Sequence, residues 1–468
     1  MPAQTVTTLY SFNGADGEGP EAALVQGTDG NLYGTTSAGG ANGYGTVFKI
    51  TPGGALTTLY SFCSLGSYPN CPDGAEPAAG LVQATNGNFY GTTAAGGTGA
   101  CQFAGINGCG TAFKITPAGT LTTLYSFCAE SGCTDGSVPY GWLVQAASGG
   151  LYGTTYSGGR NNAGTVFEIA PGGVPTTLHS FCALSECADG QSPYAGLVQA
   201  TNGEFYGTTH GNNYSGTVFK ITPTGVFTKL HSLGETSEVY GGVVQAANGD
   251  FYGTTFDGGA NRQGRIFRIT PSATLITLHN FCSESRCTDG VSPHAGLVQA
   301  TDGNLYGTTD FGGGYDAGKG GTLFKITPYG KLTTLYSFCP QSGCTDGQNP
   351  YAALVQATNG TFYGTTSGGG AHNCGGLGCG TVFSLSVGLG PFVETQTASG
   401  KVGAAVTILG TNLTGATSVA FNGTAAAFTV NSSGSAISTS VPVGATTGTV
   451  QVVTPSGTLS SNVPFRVP

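Results

Sequence analysis

The chain is short of charge. Only 8% of its 468 residues are Asp, Glu, Lys or Arg, against a usual share of roughly 25%. Its 14 basic residues are scattered and the net charge is -9. That argues against nucleic acid or an anionic membrane surface as partner. Helical periodicity is almost absent. No apolar run approaches the ~18 residues of a spanning helix, so membrane insertion is not expected. There is no P-loop, no GxSxG, no HExxH and no Rossmann fingerprint behind a strand–helix unit, which removes several hydrolytic and nucleotide-dependent classes. No secretory leader precedes the strand-like "QTVTTLYSF". The leader of an exported protein is therefore expected to be missing from this sequence.

Glycine is plentiful, at 83 residues, yet 39% of the chain is apolar and 10% aromatic. A core is expected, not disorder. The fourteen cysteines fall into close pairs with none left over: Cys63–Cys71, Cys101–Cys109, Cys128–Cys133, Cys182–Cys187, Cys282–Cys287, Cys339–Cys344 and Cys374–Cys379. Zinc needs a second pair or histidines beside each first pair, and reactive dithiols favour Cys-x-x-Cys. Neither pattern occurs. Disulfides formed in the extracellular space or cell envelope are the expectation.

The main signal is a repeat. "YGTT" starts at Tyr33, Tyr90, Tyr152, Tyr206, Tyr252, Tyr306 and Tyr363. Around it stand four short β-branched and aromatic segments: "GLVQA", "FYGTT", "GTVFKIT" and "LTTLYSF", here strands A to D. Asn-Gly, Asp-Gly and Pro-Gly turns separate them. Four antiparallel strands per unit, at a period near 50, predict propeller blades. The last unit lacks strand D, and residues 5–12 are a stray strand D. The expected fold is therefore all-β: a seven-bladed β-propeller over 1–388 whose last blade is completed by residues 5–12. The segment 389–468 alternates like a small Ig-like β-sandwich. The D–A and B–C loops share one face of the propeller and carry the length variation and all the cysteine pairs. Variable loops on a rigid scaffold are where binding usually resides.

The stretch "LVQATNGNFYGTT…GTVFKITP…LTTLYSF" resembles the GloVer-type tandem repeat of exported bacterial proteins. The C-terminal "GKVGAAVTILGTNL", "VAFNGTAAAF" and "VPVGATTGTVQVVTPSG" resemble an IPT/TIG immunoglobulin-like domain. These resemblances imply fold and an exported or surface location, not chemistry.

Several positions stand out from the repeat. The residue before each strand A is, in order, Glu21, Ala78, Tyr140, Tyr194, Tyr240, His294 and Tyr351. Such a ring suits sugars, which present C–H faces and hydroxyls, or it serves packing between blades. Trp142 replaces a residue that is Gly or Ala in the other units. It either plugs the channel or offers a stacking platform, and a crowded inner strand favours the plug. Asp16, Asp73, Asp135, Asp189, Asp289 and Asp346 precede glycines before strand A. They read as turns that accept backbone N–H groups. Calcium is the alternative, but one carboxylate per loop is too few for its cage, so no cofactor and no metal is expected. Charges gather in units 4 to 6: His210, Asp257, Arg262, Asp310, Asp316 and Lys319. Asp257, Asp310, His210 and Arg262 are candidate catalytic residues, and solvated loop charge is the alternative.

Three functions are open. The first is binding of a poly- or oligosaccharide on the loop-rich face of a monomer. The second is a glycoside hydrolase or polysaccharide lyase using two carboxylates, or a His and an Arg. The third is a structural or adhesive surface protein. Fold does not choose among them.

Overall fold

The computed structural model describes residues 4–170, 173–211, 215–234, 237–314, 320–340 and 343–468. Among them it is all-β apart from three short 3-10 turns, Ser131–Cys133, Ser185–Cys187 and Ser285–Cys287. No described helix is long and apolar enough to cross a membrane. The repeat region holds seven four-stranded antiparallel sheets, each of propeller-like A–B–C–D order. In the first these are Val25–Gln26, Leu32–Thr36, Thr46–Ile50 and Leu56–Ser61. The sheet of unit 7 takes its fourth strand from the chain start: Thr5–Ser11 pairs with Thr381–Ser386, from Thr5 opposite Ser386 to Ser11 opposite Thr381. Strand A is shorter than the sequence pattern predicts. Its ladder is only Val-Gln in every unit, as at Val144–Gln145.

Each repeated residue has a packing reason. The tyrosine of YGTT lies against the first residue of the next unit's strand B. Tyr33 stacks on Phe89 at 4.0 Å, Tyr152 on Phe205 at 4.1 Å and Tyr206 on Phe251 at 3.9 Å. The glycine makes room for the phenylalanine of strand C. A Cβ on Gly34 would stand 2.6 Å from Phe48, a distance no side chain tolerates. The apolar clusters consequently run between units rather than within them. Tyr33, Val47 and Phe62 of unit 1 share a core with Leu81, Phe89, Phe113 and Ile115 of unit 2. Phe12, Tyr363 and Val382 of unit 7 share one with Leu24, Phe48 and Ile50 of unit 1.

A second set of links runs along the glutamines of strand A. Gln83 accepts the Thr28 N–H at 2.8 Å, Gln145 that of Thr85 at 2.9 Å, and Gln245 that of Thr201 at 2.8 Å. Gln299 and Gln356 continue the series at Ala247 and Thr301. It returns to its start, because Thr358 N–H donates to Gln26 at 2.8 Å.

All seven predicted disulfides are formed and no described cysteine is free. The Asp-Gly turns have a partner that the sequence pattern did not predict. Asp135 accepts the Ala129 N–H at 2.9 Å and also the Tyr125 hydroxyl at 2.8 Å. Tyr60–Asp73, Tyr336–Asp346, His179–Asp189 and His279–Asp289 repeat that pair. Each carboxylate thus ties the rim loop to the outer strand.

After residue 388 come two more four-stranded antiparallel sheets. Val406, Ile408, Val419, Phe421, Ile437, Val450, Val452 and Phe465 form their common core. This segment rests on the turns between strands A and B. Asn431 Nδ2 and Ser435 Oγ donate to the Thr28 carbonyl at 2.7 and 2.6 Å. Gln396 Nε2 donates to Gln83 at 3.0 Å, and Asn462 Nδ2 to the Gln299 carbonyl at 2.8 Å.

Candidate functional site

Two backbone-level devices, repeated in all units, aim side chains at the loop face. The first threonine of each YGTT reaches into the following unit. Its hydroxyl donates to the carbonyl just after that unit's ring residue, at 2.7 to 3.5 Å: Thr35 to Ala79, Thr92 to Gly141, Thr154 to Ala195, Thr208 to Gly241, Thr254 to Ala295, Thr308 to Ala352 and Thr365 to Ala22. The residue after YGTT then donates its N–H to the carbonyl two residues before the ring position of its own unit, as from Tyr156 to Val138 and from Asp310 to Ser292. Most residues at that earlier position have a positive φ, including Glu76 at 56° and Asn349 at 55°. The chain therefore bends sharply and enters strand A with the ring side chain facing the mouth.

The result is a cavity of about 260 Å³. Glu21, Ala78, Tyr140, Tyr194, Tyr240, His294 and Tyr351 all line it, and so does Trp142. The ring faces are largely spent on one another. Tyr140 stacks on Tyr194 at 4.7 Å, Tyr240 on His294 at 4.5 Å, and His294 lies tilted 4.4 Å from Tyr351. What the aromatics offer the cavity is mainly edges and hydroxyls. The Tyr140 and Tyr194 hydroxyls make no hydrogen bond within the described residues. Burial raises the Tyr140 phenol to about 12, aided by the charges of Glu76 and Glu21. Burial likewise raises Tyr194, Tyr240 and Tyr351, so all four stay protonated donors.

Trp142 has a different seat. Its indole lies across the inner strands of units 4 and 5: a Cβ on Gly196 would stand 2.7 Å from the ring, and one on Gly242 2.8 Å. The indole N–H donates to the Leu197 carbonyl at 3.3 Å. Trp142 thus spans units 3 to 5 as part of the cavity floor.

A second, outer set of residues lies immediately after YGTT: Ser37, Ala94, Tyr156, His210, Phe256, Asp310 and Ser367. Sequence reasoning picked out His210 and Asp310 but missed Tyr156 and Phe256. The signal was available, as this position directly after the motif changes from each unit to the next. These residues buttress the ring. Tyr156 meets Tyr140 and Tyr194 edge-on at 5.8 and 6.2 Å, and Phe256 meets Tyr240 at 5.1 Å.

The charged candidates separate into two places. His210 Nε2 lies 3.6 Å from Glu238 Oε2, which also accepts the Tyr240 hydroxyl at 3.3 Å. The Glu238 N–H donates to Asp257 Oδ1 at 2.7 Å. Burial lowers the His210 imidazole, opposed by the charges of Glu238 and Asp257 and by the Gly211 backbone. Burial also raises the Asp257 carboxyl, with the Glu238 charge adding to it. Asp310 stands apart, fully buried. Asn349 Nδ2 donates to its Oδ1 at 3.0 Å, and the Tyr351 hydroxyl also acts on the carboxyl. Burial raises this carboxyl to about 7 despite the nearby Asn349 and Tyr351. The carboxylate that accompanies Asp257 is therefore Glu238, a residue sequence reasoning passed over, and not Asp310. Arg262 is exposed on its loop, with no ion pair among the described residues. Asp316 and Lys319 lie outside the described residues. One group of cysteines, Cys101, Cys128 and Cys133, has metal-like proximity, but all three are in disulfides.

A family model for the Gloeobacter/Verrucomicrobia repeat matches residues 1–127, 99–241 and 233–437. The chain belongs to that family. No curated protein matches it. Among solved structures, the repeat protein is similar to a fungal alcohol oxidase of the AA5 family in complex with copper: 14% identity, TM-score 0.53, covering 99% of this chain and 98% of that one. That likeness concerns fold alone. A putative 6-phosphogluconolactonase from Bacteroides uniformis matches at 16% identity and TM-score 0.45, over 71% of this chain and 88% of that one. A PQQ-bound aldose sugar dehydrogenase from Streptomyces coelicolor matches at 13% and 0.40, over 82% and 99%.

Proposed function

We propose that this Gloeobacter/Verrucomicrobia repeat protein is an exported, carbohydrate-binding, seven-bladed propeller. Residues 5–12 complete its last blade, and residues 389–468 form an Ig-like domain of IPT/TIG type. The disulfides and the absence of a described membrane-crossing helix are consistent with an extracellular or cell-envelope location. The observation that carries the binding reading is the convergence of six ring side chains and Trp142 on one cavity. Protonated phenols, a carboxylate and an indole in a concave site match what a poly- or oligosaccharide presents: many hydroxyls and apolar C–H faces. The cavity admits one or two sugar rings, so a chain end or a short branch is the fitting epitope. Titration against a panel of neutral, acidic and amino-sugar oligomers tests this. Binding that is lost in Tyr194→Ala and Trp142→Ala supports it, and a panel without binders overturns it.

One observation favours an enzymatic reading as the second choice. Unit 5 lacks the cysteine pair and Asp-Gly turn of its neighbours. In their place its Glu238, Tyr240 and Asp257 meet His210 of unit 4, next to the cavity that Tyr240 lines. A neutral imidazole beside a carboxylate and a phenol can move protons in glycoside hydrolysis or in β-elimination from a uronate. Reducing-end or unsaturated products that disappear in Asp257→Asn and His210→Gln would support catalysis. Asp310→Asn would separate the two charged places.

A further inference from the structure

The cavity has a sign. Among the described residues that line it, Glu21 is the only Asp or Glu, and no Lys or Arg is present. Glu21 stands at the rim of the gap left by Ala78, the one ring position without a large side chain. It is solvent-accessible at the mouth, yet burial in the concave wall raises its carboxyl, Ser37 opposes this, and the charge of Glu76 adds to it. Carboxyl groups act on the mouth phenols from surrounding elements as well: Glu76 on Tyr140, and Glu238 and Asp257 on Tyr240. His294, the one basic residue in the lining, is held neutral by burial, at about 3. A concavity lined by low-dielectric aromatic walls focuses such a field.

A second observation is independent of the carboxylates. Every large ring at the mouth is packed against another ring except Trp142, which has no aromatic neighbour among the described residues. One side of its indole is taken by the backbone of Gly196 and Gly242, and the indole lines the cavity. Indole is the best aromatic partner for a cation. An accessible indole below, a carboxylate at the wall, phenol hydroxyls around and no competing basic side chain make a receptor for an ammonium group carried on a polyhydroxylated ring.

We propose that the mouth recognises a cationic amino sugar, with its ammonium between Glu21 and the Trp142 indole and its hydroxyls bonded to the ring tyrosines. This rests on the carbohydrate-binding reading above and narrows it to one substrate class. Glu21 supplies charge complementarity, Trp142 the cation–π contact, and Tyr140 and Tyr194 the hydrogen bonds.

Calorimetric titration of the full chain tests it with five probes. These are a fully deacetylated glucosamine tetramer, its N-acetylated counterpart, a neutral glucose tetramer, a galacturonate tetramer and methylammonium alone. The deacetylated tetramer should bind about 10-fold tighter than the N-acetylated and neutral ones, with the preference shrinking as salt is raised. Glu21→Gln should bring the amine's affinity down to that of the neutral tetramer. Glu186→Gln, on an exposed rim loop, should leave the preference intact and so exclude general surface charge. Equal binding of the neutral and cationic tetramers overturns this inference while the carbohydrate reading stands. A preference that survives Glu21→Gln, tighter binding of the galacturonate, or methylammonium bound as well as the tetramer, overturns it too. Binding of none of the five overturns both.

Discussion

Gly196 and Trp142 define each other. The Trp142 carbonyl would lie only 2.3 Å from a Cβ at position 196, so Gly196→Ala must shift either the indole or its backbone. The expected cost is about 1–3 kcal/mol. It should appear in thermal denaturation together with a changed tryptophan fluorescence maximum. Because Trp142 is the only tryptophan, an unchanged spectrum would refute the contact. Two buried titratable groups predict opposite pH effects. Asp310 has a folded value near 7, above an unfolded value of about 3.9. Its contribution to stability is present below pH 4 and is lost as pH rises through 7, by at most roughly 4 kcal/mol. His294 has a folded value near 3, below an unfolded value of about 6.5. Its contribution is present above pH 6.5 and is lost as pH falls toward 3. Melting temperatures should therefore fall on both sides of weakly acidic pH. Asp310→Asn should remove the decline toward pH 7, and His294→Tyr, which installs the commonest ring residue, should soften the acid one.

At the scale of elements, the inter-unit threonine is the joint that carries site geometry. Thr208→Val keeps the shape of the side chain but removes the donor to the Gly241 carbonyl, a bond of 3.0 Å between buried groups. The expected loss is about 1–2 kcal/mol. Ligand affinity should fall as well, since Gly241 follows Tyr240, and a variant with unaltered affinity would show that the joint does not set the ring. The disulfides act locally. Each closes a span of only 5 to 8 residues, so each is worth roughly 2–3 kcal/mol in chain entropy. Mass spectrometry under alkylation should find no free thiol before reduction and fourteen after. Reduction should lower the melting temperature while the β-sheet circular dichroism signal persists, because the Asp–Tyr and Asp–His pairs still tie the rim loops down.

For the whole molecule, the decisive contacts are those between distant parts of the sequence. Deleting residues 1–12 removes Phe12 from the core shared by units 7 and 1 and leaves Thr381–Ser386 as a bare edge strand. Exposed edges recruit other chains. The truncated protein should associate or aggregate in light scattering, and a monomer of unchanged stability would contradict the pairing of Thr5–Ser11 with Thr381–Ser386. The strand order, the pairing of neighbouring cysteines and the ring positions were legible in the sequence, because they recur from unit to unit and repetition averages out local ambiguity. The Tyr–Asp and His–Asp pairs were not, since the two residues are conspicuous only when the outer strand and the rim loop are seen side by side. Glu238 escaped for a similar reason: it occupies a loop that lacks the repeat's landmarks.

The sequence by itself determined the repeating β-architecture, the paired cysteines and the identity of the residues at the mouth. Alternating pattern, turn chemistry and local spacing are short-range properties that need no tertiary contact to be read. Only the tertiary structure decided that the ring aromatics stack on one another and present hydroxyls, that Trp142 lies across units 4 and 5, and that Asp257 keeps company with Glu238 and not with Asp310. Those outcomes depend on crossing from one sheet to its neighbour. The approach of sheets is set by buried tyrosine–phenylalanine stacks and threonine–carbonyl bonds whose partners are 33 or more residues apart, a separation that no pattern along the chain encodes.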